Sequence, residues 1–178
     1  MNHLEQIVGE WYKYNGYFVR RNVLVGKRPN GGYEGELDVV AYQPSSKHLV
    51  HIEPSLDADT WARREQRFSK KFDLGRKHIP ELFGGVEVLP EIEQIALLVF
   101  GSNANVQHLG GGVVATAAEF YAAVADSLRG KRVAKEAVPE QFGLLRTVQH
   151  CLEYSLAIST GVSSNNAFQP TLRFAAHG

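Results

Sequence analysis

The chain is poor in several features that would announce a specialised protein. Its 178 residues include one cysteine, Cys151. That excludes an internal disulfide and any metal site built on paired cysteines. No apolar run approaches the roughly 20 residues that span a bilayer, so no membrane partner is expected. Lysine plus arginine and aspartate plus glutamate number 19 each, giving zero net charge. A globally basic nucleic-acid binder is thereby excluded, and any such role must rest on a local patch. The phosphate-cradling fingerprints Gly-x-Gly-x-x-Gly and Gly-Lys-Ser/Thr are missing. Gly110-Gly111-Gly112 therefore reads as a flexible connection. Internal repeats and low-complexity linkers are also lacking. The start, Met1-Asn2-His3-Leu4-Glu5, does not read as a signal peptide, and a cytoplasmic protein is the expectation.

The length suits one domain with a sizeable core, and 44% hydrophobic with 21% charged residues is ordinary for a globular chain. One domain over 1–158 is expected, followed by a polar tail over 159–178. Leu4, Ile7, Val8, Trp11 and Tyr14 recur at helical spacing and predict a helix over about 3–14. A strand is expected over about 17–25, then a turn-rich loop at Lys27 to Gly32. Two short strands follow, at about 36–42 and 48–54. A helix capped by Asp57 or Asp59 is expected over about 59–77, broken by Pro80 and Gly84-Gly85. Gln94 to Phe100 reads as a buried strand, and 101–112 as a loop. Thr116 and Glu119 form a capping box for a helix reaching about Leu128. Pro139 opens a last helix with Phe142, Leu145, Val148, Leu152 and Leu156 on its apolar stripe. The order implies an α/β sandwich around a mixed sheet of about four to five strands.

The stretch that carries chemistry is Gly35-Glu36-Leu37-Asp38-Val39-Val40-Ala41, followed by His48-Leu49-Val50-His51-Ile52-Glu53-Pro54-Ser55. Alternate strand residues share a face, so Glu34, Glu36 and Asp38 point one way, as do His51, Glu53 and Ser55. The turn Gln43 to Lys47 allows the two strands to pair antiparallel. That pairing brings Asp38 near Glu53. Two carboxylates converging on a buried sheet need a cation or a shared proton, and a hard divalent ion with oxygen ligands meets the need.

This layout resembles the core of the PD-(D/E)XK nuclease superfamily, of restriction-endonuclease-like fold, and is closest to its resolvase-like branch. Gly35, Glu36, Leu37, Asp38 and Ala41 fit the first motif string, and Glu53 fits the second. Ser55 stands where the family has lysine. The resemblance covers about residues 3–125. It implies a nuclease using Mg²⁺ or Mn²⁺, with nucleic acid, DNA foremost, as partner, and a homodimer is compatible with it. It makes Asp38 and Glu53 metal ligands, with the Pro54 carbonyl as third protein ligand, and places Ser55 beside the reacting water. A catalytically inactive module of the same fold, binding DNA or a protein, is the alternative.

Ser55 cannot supply the missing positive charge. Either a base reaches in from the following helix, or a second metal replaces it, or catalysis is lost. The following segment carries Arg63, Arg64, Arg67, Lys70, Lys71, Arg76 and Lys77. Lys70, on a face with Gln66, is the expected replacement, with Arg67 and Lys71 behind it. Arg20, Arg21, Arg63, Arg67 and Lys71 are the expected phosphate contacts. A solvated helix face and an edge strand protected by charge are the plain alternatives. His51 reads as a base or ligand, or as a structural histidine beside Glu53, and Glu5 and Glu10 as helix-one acids near the metal or as surface glutamates.

Overall fold

The computed structural model describes residues 2–84, 90–100 and 106–154. The first helix, α1, is His3–Tyr14. Asn2 and Glu5 close it with a capping box, and Asn15 ends it. Strands β1 (Phe18–Lys27), β2 (Tyr33–Gln43) and β3 (His48–Ser55) follow as an antiparallel meander. Helix α2 spans Trp61–Leu82. Its N-cap is Thr60, not Asp57 or Asp59, because those two carboxylates bind Arg67 instead. It runs through Pro80, which falls in its last turn, where only one backbone bond is lost.

Strand β4 is Ile92–Leu98 and lies parallel to β3. The expected 101–112 loop is partly a hairpin, β5 (His108–Leu109) and β6 (Gly112–Thr116). Gly110 and Gly111 turn it with φ of 58° and 84°. Gly110 also lies so close to α2 that an added Cβ would sit 2.3 Å from the Ser69 amide nitrogen. The Gly-rich run is therefore a packed turn, not a flexible connection. Helix α3 is Ala117–Leu128, opened by the Thr116/Glu119 capping box. A short α4 (Val133–Glu136) precedes α5 (Gly143–Glu153). Pro139 lies in the turn before α5, whose first amides, Leu144 and Leu145, are capped from α1 by Glu10. Leu156 and the 159–178 tail lie outside the described residues.

The six strands form one mixed sheet in the order β1-β2-β3-β4-β6-β5. Six replaces the expected four to five because the hairpin after β4 adds two. Alternation along the strands gives each face its helices. Val39, Ala41, Val50, Ile52, Ile95 and Leu97 pack under α1, α3 and α5. The opposite face holds Val40, Leu49, Ala96 and Leu98 against Ile79, Phe68 and Phe72 of α2. Among the described residues, no helix is long and apolar enough to cross a membrane.

Candidate functional site

β2 and β3 stay paired from Gln43/His48 to Val39/Ile52 and then part. Beyond that point the first half of β2 pairs only with β1, and the end of β3 only with β4. Asp38 and Glu53 are the next residues past the last pair, so the sheet opens at the carboxylates. The β1–β2 ladder also skips a step here. Arg21 pairs with Val39 and Val23 with Leu37, but Asn22, at φ 52°, leaves Asp38 unpaired. The Asp38 amide donates instead to Glu53 Oε1 at 3.2 Å.

The cation between the two carboxylates is Lys71. Its ammonium donates to Asp38 Oδ1 at 3.0 Å, to the Glu36 carbonyl at 2.9 Å, and reaches Glu53 Oε2 at 2.8 Å. Lys70, the expected residue, is exposed, as is Gln66. The reason is rotation. Each helical residue turns about 100°, and the buried stripe of α2 runs through Arg64, Phe68, Phe72, Gly75 and Ile79. Lys71 lies three residues after Phe68 and beside that stripe, whereas Lys70 is turned out of it.

Arg67, one turn before Lys71, donates to Ser55 Oγ at 2.8 Å and pairs with Asp57 and Asp59 at 2.5 and 3.0 Å. A guanidinium therefore stands at the position of the Lys-to-Ser departure. The Ser55 carbonyl accepts from the Val99 amide on the β4 side. Backbone polar groups alternate along a strand, so the Pro54 carbonyl points the other way, into the gap beside Asp38. The missing Pro54 N–H costs nothing there, because no ladder partner faces it.

Burial first, and then the charge of Glu53, push the Asp38 carboxyl up to about 7, and Lys71 only partly offsets them. Burial would raise Glu53 as well, but the His51 hydrogen bond and the Lys71 charge outweigh it and hold Glu53 below its ordinary value. Lys71 is raised, since its two carboxylates outweigh its burial. Below about pH 7 the pair thus carries close to one negative charge, matched by one ammonium, and Asp38 ionises as the pH rises past that point.

His51 lies directly behind Glu53, with Nε2 at 2.7 Å from Oε1 and no solvent exposure. The helix-one acids are elsewhere. Glu10 caps α5, and Glu5 bonds Asn2 and Asn22. Arg20 and Arg21 part company because adjacent strand residues face opposite sides. Arg20 is exposed opposite Val40. Arg21 lies over Gly9 of α1, with Nη1 buried and without a hydrogen-bond partner among the described residues, so it does not face the gap. Arg63 is exposed at the start of α2.

Two contributors escaped the sequence reading. Gln94 bonds His51, and Gly75 makes room for it. The signals were a glutamine inside an apolar strand and a glycine inside a helix. Comparisons with family models, curated proteins and solved structures find no match for this chain.

Among the described residues no three or more His, Cys, Asp or Glu side chains converge. The oxygen donors around Lys71 are the Asp38 and Glu53 carboxylates and the Glu36 carbonyl, with the Pro54 carbonyl directed to the β2 side of its strand by alternation. Such a sparse, all-oxygen set fits Mg²⁺ or Mn²⁺, which keep several waters, and not a softer metal.

Proposed function

We propose that the protein is a metal-dependent nuclease of restriction-endonuclease-like fold, similar to the resolvase-like branch of the PD-(D/E)XK superfamily. The observation that carries the reading is the convergence of Asp38, Glu53 and a helix lysine, Lys71, at the point where β2 and β3 separate. In this reading Asp38, Glu53 and the Pro54 carbonyl hold Mg²⁺ or Mn²⁺. Such an ion, when bound, supplies an acidified water and positive charge for a phosphodiester. The chain's own groups do the rest. Glu53 is held ionised by His51. Lys71 supplies the charge that Ser55 lacks, by moving its ammonium from the carboxylates toward the phosphate oxygens. Arg67 holds Ser55 at the edge of the same space. Nucleic acid, DNA foremost, is the substrate class, approached across the exposed Arg20, Arg63 and Lys70.

A second reading draws on the same ammonium. Lys71 already contacts three oxygens at 2.8–3.0 Å, as a resident cation would. A chain in which it never leaves would be an inactive nuclease fold that binds DNA or a protein.

The test is cleavage of single-stranded, duplex and branched DNA and RNA with Mg²⁺ and with Mn²⁺, alongside thermal melting. The expected result is metal-dependent cleavage and a melting point raised by Mn²⁺. Asp38→Asn and Glu53→Gln should abolish the rise and lower cleavage at least ~100-fold, and Lys71→Ala should lower cleavage by a similar factor while sparing nucleic-acid binding. A wild type that neither cuts nor responds to Mn²⁺ would leave only the inactive module.

A further inference from the structure

Behind Glu53 runs a chain of hydrogen bonds whose direction can be read link by link. Arg76 Nη1 donates to Gln94 Oε1. The Gln94 amide nitrogen donates to the Phe72 carbonyl at 2.9 Å and also faces His51 Nδ1 at 3.3 Å. His51 Nε2 lies 2.7 Å from Glu53 Oε1. The amide cannot be turned over, because that would set its oxygen against the Phe72 carbonyl and its NH₂ against a guanidinium. Its remaining hydrogen therefore points at Nδ1, so Nδ1 accepts and the ring proton sits on Nε2. His51, Glu53 and Gln94 are all buried. The ring stands edge-on to Phe72 at 5.5 Å. Gly75 leaves it room, since a Cβ there would sit 2.3 Å from Nδ1.

We infer that Arg76, Gln94 and His51 are positioning residues that hold Glu53 with Oε1 bound from behind and Oε2 presented to the cation. This rests on the metal-site reading above. None of the three touches the gap itself. They act by fixing one carboxylate's rotation, whereas the partners of Asp38 among the described residues are Lys71 and Glu53, both within the site. Buried second partners of this kind typically change metal affinity ten- to a hundred-fold when removed.

The experiment uses the whole chain in two measurements. Imidazole ¹⁵N NMR without metal should show the Nε2–H tautomer for His51. Mn²⁺ titration calorimetry should then find His51→Gln, whose amide keeps a donor near Nε2, within about threefold of wild type. His51→Phe and Gln94→Met should lose at least about tenfold while melting cooperatively. A merely structural role would move stability but would not be rescued by the glutamine. The Nδ1–H tautomer would overturn the proposal, as would wild-type Mn²⁺ affinity in both His51→Phe and Gln94→Met. If the wild type binds no Mn²⁺, the metal reading fails. Presentation to a metal then falls with it, and the tautomer decides what is left, with Nε2–H sustaining the hold on Glu53, its Oε2 toward Lys71, and Nδ1–H ending it.

Discussion

At the residue scale, Asp38 carries the clearest consequence. Its carboxyl titrates near 7 in the fold, against 3.8 as the ordinary value. A carboxyl raised by folding favours the native state while it is protonated, so its cost appears as pH climbs from about 4 to about 7 and is complete above that. A rise of that size corresponds to roughly 4 kcal/mol at most. Asp38→Asn removes the cost but also takes a partner from Lys71. We expect it to be about 1–3 kcal/mol more stable than wild type at pH 8, with the difference fading toward pH 4. Urea unfolding at the two pH values measures this, and an equal or lower stability at pH 8 would refute the shift. Glu53 has the opposite sign. Its lowered carboxyl stabilises the fold above its ordinary range, and that contribution disappears as acid protonates it.

At the scale of the element, α2 does most to build the site. It delivers Lys71 and Arg67 on one ridge, four residues apart, and Gly75 opens the notch that His51 fills. Replacing a glycine by alanine inside a helix normally stabilises by about 1 kcal/mol. At Gly75 the new Cβ would lie 2.3 Å from the His51 ring and 3.1 Å from the Gln94 amide. Gly75→Ala should therefore destabilise by ~1–3 kcal/mol through overpacking, measured by chemical denaturation. A stabilised variant would mean that the ring is not held there. Helix α5 shows a different dependence. Its start lacks a side-chain cap of its own and borrows Glu10 from α1, so its N-terminus exists only against a neighbouring element.

At the scale of the whole molecule, zero net charge means that the nucleic-acid binding proposed above would rest on a few exposed cations. Arg63 and Lys70 are exposed on α2, Lys70 without an ion pair among the described residues and Arg63 only 3.9 Å from Asp59, a loose pair at the surface. Their conversion to glutamate should weaken binding of any sequence uniformly and lower the salt slope by about two, one for each phosphate contact. Fluorescence anisotropy at several salt concentrations reads both quantities. An unchanged slope would place the substrate elsewhere.

Much of this was legible along the chain. The short turn made the two strands neighbours, and alternation placed Glu53. On β2, however, the alternation reverses at Asp38, since Leu37 packs with Val40 on the α2 face while Val39 packs on the other, opposite the left-handed Asn22. The capping box at Thr116 and the first helix follow from equally local chemistry, as does the order of elements apart from the β5–β6 hairpin and α4. What local chemistry could not supply was rotation and distance. A basic run names a helix but not the residue that points inward. The packing of Phe68 and Phe72 chose Lys71 over Lys70. Gln94 meets His51 only because β4 returns parallel beside β3, and Glu10 caps α5 only because those helices share a face of the sheet. Backbone propensity and side-chain period act over a few residues. Direction and contact between distant groups arise only when the sheet and its helices bury their apolar faces together.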